Sequence, residues 1–309
     1  MDSRTISIIG GGLMGHSIAL VFAKAGHRVV MSEPNPAVRD QILVSIGDTL
    51  DELGCDRAAL ERISVTATLA TCVAEANWVI EAAPENLEIK RAILAEAARA
   101  APPDAILASN TSVIPISQIM VDVEDRTRAL GTHWWNPAYL IPLVEVVRTT
   151  EASDAAVSAT LALLTDAGKK PVEIKKDIPG FVGNRLQHAL WREAIALVEQ
   201  GVCDARTVDD VVKSSFGARL GVLGPLENAD LVGLDLTRAI HSYIFPTLNS
   251  STTPSTYLDA LIADGRLGFK TGRGFSDWSA QAQAKLRSDV FDRLKDSIGV
   301  SSPSTDVQK

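Results

Sequence analysis

One histidine and two tryptophans, His133-Trp134-Trp135, stand just before a chain break at Asn136-Pro137, and Glu145 follows inside the apolar run Leu143-Val144-Glu145-Val146. The residues from Ala129 to His133 read as a buried strand. The histidine then falls at a strand's C-terminal end, where open α/β sheets bind their ligands. A hairpin-like excursion through Asn136-Pro137 would set Glu145 beside it. A carboxylate against an imidazole orients the ring, fixes its tautomer and favours its protonated form. Such a pair suits a general base that takes a proton from a hydroxyl while a hydride leaves the same carbon, a role worth about 10²–10⁴ in rate. Spacing alone leaves the alternative open: a structural histidine and an unrelated strand-end glutamate.

A hydride needs an acceptor, and the start of the chain describes a place for one. Ile6-Ser7-Ile8-Ile9 reads as a short buried strand and runs into Gly10-Gly11-Gly12-Leu13-Met14-Gly15, a G-x-G-x-x-G pattern. Ile18, Val21, Phe22 and Ala25 then repeat at helical spacing, Gly26 suits a C-terminal cap, and a second strand from Arg28 ends at Ser32-Glu33. Gly10 allows the tight turn, Gly12 lets the backbone approach a pyrophosphate, and Gly15 lets helix and strand pack closely. The phosphate charge would sit on the helix N-terminus, beside Leu13 and Met14. Glu33, 18 residues past Gly15, can accept hydrogen bonds from an adenosine ribose and would repel a 2′-phosphate, which favours NAD over NADP.

The elements that must carry these groups recur along the chain. Strand-like runs at Ile63–Leu69, Trp78–Ala82, Ala105–Ala108, Ala129–His133, Leu143–Val147 and Pro171–Ile174 alternate with helical stretches. One such stretch follows Glu85, with Leu87, Ile93, Leu94 and Ala97 as its inner stripe and Pro102-Pro103 as its stop. The alternation predicts a doubly wound α/β fold of Rossmann type over residues 1–182. From Asn184 strand signals nearly vanish, and Leu186, Leu190, Ala194, Leu197 and Val198 form a helical stripe, so an all-helical C-terminal domain is expected over 183–309. A cleft between the two would suit a substrate. The polar tail Ser301–Lys309 is expected to fray.

Composition narrows the partners. The formal net charge of −8 argues against a sequence-independent grip on nucleic acid and against a polybasic membrane patch. No apolar run reaches spanning length, and the N-terminal residues show no signal-peptide pattern. Cys55, Cys72 and Cys203 are isolated, which fits a reducing, cytoplasmic setting and gives no metal or disulfide framework.

Several further stretches, together with these, carry a resemblance. EAAPENLEIK (81–90), SNTS (109–112), HWWNP (133–137), LVEV (143–146), DIPGFVGNR (177–185), GPLENADLVGLD (224–235) and GFKTGRGF (268–275) follow GGGLMG in order. The chain resembles the 3-hydroxyacyl-CoA dehydrogenase superfamily over nearly its whole length. The resemblance implies that His133 is the catalytic base with Glu145 as partner, and that Ser112 and Asn184 bond the substrate oxygen. It implies that Glu85 and Lys90 contact the nicotinamide half of NAD, that Asn110 of SNTS belongs to the cofactor site, and that Lys270 reaches the cofactor from the helical domain. It also implies a homodimer through that domain. The residues by themselves allow plainer roles: Ser112 or Asn184 as helix caps, Lys90 as a solvated helix charge.

Two departures bear on the substrate. The superfamily binds acyl-CoA partly through a long basic helical arm after the second strand. Here Arg39–Leu69 is short, has no lysine, and sets Arg39, Arg57 and Arg62 against six acids, a poor surface for CoA phosphates. The second departure is Trp134-Trp135 in place of two phenylalanines. Adjacent residues do not easily face one pocket, so at least one ring is expected in the core, and the other could wall the site for a flat ring or a quaternary ammonium. Superfamily members that dispense with CoA act on carnitine, gulonate or a pyridine-carboxylate aldehyde of vitamin B6 breakdown. The last is the expected substrate class, entering as an aldehyde hydrate. A 3-hydroxybutyryl-CoA type dehydrogenase, a carnitine or gulonate dehydrogenase and a non-enzymatic NAD-binding or structural protein are the alternatives.

Overall fold

Eight strands form one sheet: β1 (Thr5–Ile9), β2 (Arg28–Ser32), β3 (Ile63–Thr66), β4 (Trp78–Glu81), β5 (Ile106–Ser109), β6 (Ala129–Trp134), β7 (Leu143–Val147) and β8 (Lys170–Ile174). In this computed structural model, which describes residues 3–297, their order is β3-β2-β1-β4-β5-β6-β7-β8. The first six run parallel. β7 turns back antiparallel to β6, and β8 runs parallel to β7. The strand order reverses between β1 and β4, and a crevice opens outside the strand ends at such a point. The strands are short and apolar because helices cover both faces. Ile6, Ile8, Val29, Met31, Val79 and Leu107 are fully buried. The expected α/β fold with a Rossmann-type domain and a helical C-terminal part is what the chain adopts.

One expected strand is shorter than its apolar run. Ile63–Leu69 yields a strand only to Thr66, and Leu69 opens the helix Leu69–Val73, which buries Cys72 and Val73. Between β2 and β3 the chain forms the helix Ile42–Glu52 and a 3-10 turn, Arg57–Arg62. This connection packs against the helix Leu13–Lys24, and Ile42, Ile46, Leu50, Leu53 and Ala59 are all buried. Most of its apolar residues are spent on the core of the sheet unit, while Leu43 and Val44 stay exposed.

Two compact units are distinguished: one runs to Asn184 and resumes at Asp292, the other spans Arg185–Phe291. The end of the helix Ala280–Ser297 therefore groups with the sheet, where Lys295 Nζ lies 3.5 Å from the Glu52 carbonyl. The composition shift near residue 183 gave no sign of this return. The second unit is helical, with Ala205–Ser214, Pro225–Val232, Leu234–Ile244 and Thr256–Ala263 among its elements. None of those four helices has a buried residue. The tail Ser301–Lys309 lies outside the described residues.

Candidate active site

The glycine loop leaves β1 with Gly10 at φ +106°, and a Cβ there would stand 2.7 Å from the Ala82 carbonyl oxygen. A Cβ on Gly15 would stand 1.9 Å from the Gly10 carbonyl, so helix and strand touch through these two residues. Nothing lies within 4 Å of a Cβ built on Gly12. Gly12 is also the N-cap of the helix Leu13–Lys24, and no side chain caps it. Its first main-chain N–H groups, among them those of Leu13 and Met14, are therefore available to a phosphate in open space. Glu33 stands at the end of β2. Its carboxylate accepts from the Gly11 amide and from the Asn35 amide, each at 2.9 Å. The acid holds the glycine loop and retains acceptor capacity for a ribose hydroxyl. These residues fit a dinucleotide.

His133 and Glu145 are directly opposed across the antiparallel β6–β7 pair. The side chains meet, with His133 Nδ1 2.7 Å from Glu145 Oε2. The other carboxylate oxygen, Oε1, accepts from the amides of Val182 and Gly183 at 3.0 and 3.1 Å. Burial presses the Glu145 carboxyl upward, yet the hydrogen bonds from His133, Gly183 and Val182 outweigh it and hold the group below the ordinary carboxylate value. An ionised Glu145 accepts from Nδ1–H, which leaves the Nε2 lone pair of a neutral ring as the basic position. His133 is 3% exposed and lies between two rings, Trp135 at 5.3 Å and Phe181 at 5.6 Å between centroids.

The paired tryptophans divide their work. Trp134, 2% exposed, packs edge-on against Phe22 with centroids 5.6 Å apart and beneath the Lys169 ammonium, so it belongs to the core. Trp135 flanks His133, and its ring leaves no room beside Gly183: a Cβ there would stand 2.4 Å from Trp135 Cζ2.

Ser112 and Asn184 are brought together: Asn184 Nδ2 donates to the Ser112 carbonyl at 2.8 Å. The Ser112 loop is held from below by Glu85, whose Oε1 accepts from the Thr111 hydroxyl (2.7 Å) and the amides of Ser112 (2.9 Å) and Val113 (3.2 Å). Burial raises the Glu85 carboxyl, and the bonds from Thr111 and Ser112, the Lys90 charge and the Val113 amide carry it below the ordinary value. Asn110 ties β5 to β6, its Oδ1 accepting from the Trp134 amide at 3.0 Å.

Lys90 lies in the first turn of the helix Leu87–Ala100. It is wholly enclosed, with Nζ 2.8 Å from Glu81 Oε1, 3.1 Å from the Ala83 carbonyl and 3.5 Å from Glu85 Oε2. It neutralises Glu81 inside the protein. It is not a solvated helix charge. Glu81 was missed as a site residue. It accepts from Lys90 and the Ala83 amide through Oε1 and from the Ser109 hydroxyl through Oε2 (2.6 Å), and so braces the ends of β4 and β5. The signal was present, since Glu81 opens the EAAPENLEIK stretch. Lys270 lies in the helical unit. It stands in the turn between Gly268 and Gly272, both at positive φ, and lines a cavity of about 620 Å³ with Trp191, Val198, Leu258 and Phe275.

Comparison with known proteins decides the family. The model of the 3-hydroxyacyl-CoA dehydrogenase NAD binding domain matches residues 5–178, and that of the 3-hydroxyacyl-CoA dehydrogenase C-terminal domain matches 180–278. The chain belongs to the 3-hydroxyacyl-CoA dehydrogenase family. It is an NAD-dependent dehydrogenase. Among its relatives is the 5-formyl-3-hydroxy-2-methylpyridine 4-carboxylate 5-dehydrogenase of Mesorhizobium japonicum, 33% identical over 94% of this chain and 96% of the relative. The L-carnitine dehydrogenase of Streptomyces griseus is 36% identical over 84% of this chain and 78% of its own length. A crystal structure of a 5-formyl-3-hydroxy-2-methylpyridine 4-carboxylic acid 5-dehydrogenase, an NAD+-dependent dismutase, superposes with a TM-score of 0.88 at 31% identity, covering 97% of each chain.

Proposed function

We propose that this dehydrogenase oxidises a small CoA-free carboxylate through a hydroxyl or an aldehyde hydrate, and that its substrate is a pyridine-carboxylate aldehyde of the kind met in vitamin B6 breakdown. The observation that carries the reading is Trp135, an indole beside His133 with ring centroids 5.3 Å apart and planes tilted by 53°. A flat heteroaromatic ring beside the base would stack on such a surface. The connection between β2 and β3, packed flat against the sheet unit, supports the absence of a CoA handle. The similarity to the pyridine-carboxylate dehydrogenase along almost the whole chain points the same way.

Glu145 holds the His133 ring through Nδ1 and stabilises the imidazolium. His133 Nε2 removes the hydroxyl proton of the hydrate. Ser112 and Asn184 bond the substrate oxygen. NAD, when bound, accepts the hydride from the same carbon. The hydrate thereby loses a hydride and a proton and becomes a carboxylic acid. The free main-chain N–H groups at the start of the helix after the glycine loop would meet the cofactor's phosphate and Glu33 its ribose, while Glu85, Glu81 and Lys90 support the Ser112 loop from within. Carnitine remains the second reading, because an indole also attracts a quaternary ammonium. The test is NADH formation with 3-hydroxybutyryl-CoA, carnitine, gulonate and pyridine-carboxylate aldehydes. Turnover confined to the CoA ester would overturn the proposal.

The helical unit, expected over 183–309, is proposed as the substrate and dimerisation domain. Leu226 is 80% and Tyr243 88% exposed, Leu231, Leu234 and Phe245 are also open, and Ala196 is the unit's one buried hydrophobic side chain. Helices with so little buried surface need a second copy to complete their core. The unpaired Cys55, Cys72 and Cys203 suit a reducing, cytoplasmic setting.

A further inference from the structure

Arg39 is a cation without an anion. It closes the short helix Pro36–Arg39 that follows β2 and is half-buried. One guanidinium nitrogen, NH1, donates to the main-chain carbonyls of Glu33 at 2.9 Å and Pro34 at 3.2 Å. Among the described residues no carboxylate lies within ion-pair distance of it. Asp40, its neighbour in the chain, makes no ion pair with it, and the Glu33 carboxylate is turned instead to the amides of Gly11 and Asn35. Two carbonyls thus fix the position of a guanidinium at the C-terminal end of β2. Neutral acceptors alone compensate a partly desolvated charge poorly, so the arrangement calls for a ligand.

The place identifies that ligand. Glu33 sits where the adenosine ribose of a dinucleotide binds in this fold, and its other contact is the glycine loop. The group beyond the ribose is adenine. A guanidinium is planar and weakly hydrated, and it stacks on aromatic faces where an ammonium would not. We propose that Arg39 is an adenosine-binding residue, its pinned guanidinium packing against the adenine face of NAD. A phosphate partner is disfavoured, because a 2′-phosphate would have to approach the Glu33 carboxylate, and the pyrophosphate has the helix N-terminus at Gly12.

Equilibrium titration with two probes tests this. ADP-ribose carries the adenosine, and reduced nicotinamide mononucleotide lacks it. Arg39→Ala is expected to weaken ADP-ribose binding by about 3- to 30-fold, the range of a cation–π contact. Binding of the mononucleotide should change less than about twofold. Arg39→Gln keeps a donor for the Glu33 and Pro34 carbonyls while losing the charge, so it separates a loosened corner from a lost stacking partner. It is expected to weaken ADP-ribose as alanine does. Unchanged ADP-ribose affinity in either variant would overturn the proposal, as would an equal loss for both probes.

Discussion

Replacing Lys90 by methionine removes a charge and little volume from the centre of the site's support. Wild-type Lys90 Nζ touches Glu81 Oε1, the Ala83 carbonyl and, at 3.5 Å, Glu85 Oε2, with no side-chain surface exposed on either Lys90 or Glu81. In Lys90→Met the Glu81 carboxylate keeps only the Ala83 amide and the Ser109 hydroxyl as donors. Its charge is then buried without a counter-ion. Breaking one side of a buried pair costs about 3–5 kcal/mol, roughly a hundredfold to a few thousandfold in the folding equilibrium. Urea unfolding followed by circular dichroism reads this loss. Glu81→Gln added to Lys90→Met removes the stranded charge while leaving an amide to meet Ser109, and should recover at least half of it. NAD affinity of the folded single variant should fall only modestly, through the Glu85-held Ser112 loop. A variant that loses less than about 1 kcal/mol yet no longer binds NAD would refute this reasoning and make Lys90 a cofactor ligand.

Other changes have defined consequences. Gly183→Ala drives a methyl into Trp135 Cζ2, and overpacking of this kind costs about 1–3 kcal/mol; Trp135→Phe should relieve part of it, which thermal unfolding of the double variant checks. Glu33→Ala should weaken NAD binding with little change in the saturated rate, as read by titration and by kcat; unchanged affinity would remove Glu33 from the ribose site. Burial, with the nearby Lys24 charge, pushes Lys169 down to about 8 from 10.5. The unfolded chain therefore binds the proton more tightly, so stability should rise from pH 8 to pH 10. Lys169→Met should lack that rise when unfolding is measured across the same range.

Much of this site was legible because its residues sit on regular elements. A glycine loop between a strand and a helix has one local solution, so Gly10, Gly12 and Gly15 announce their geometry. His133 and Glu145 were legible as a pair because a chain break between two apolar runs implies a hairpin, and antiparallel register then opposes them. Lys90 was not legible. A lysine in the first turns of a helix looks solvated until a carboxylate on a neighbouring strand end, Glu81, is seen to enclose it. The roles of the two tryptophans also depended on tertiary contacts: Phe22 claims Trp134, and the missing side chain of Gly183 makes room for Trp135. Asn110 and Glu85 showed the same limit, since both spend hydrogen bonds on loops brought near only by the sheet.

The most direct test compares wild type and His133→Ala with a pyridine-carboxylate aldehyde and NAD, measuring NADH formation and NAD affinity on the same preparations. The wild type is expected to turn over, and the variant to show a rate lower by about 10²–10⁴ with NAD affinity nearly intact. An equal rate in both proteins, or a variant that no longer binds NAD, would contradict the assignment of His133 as the base.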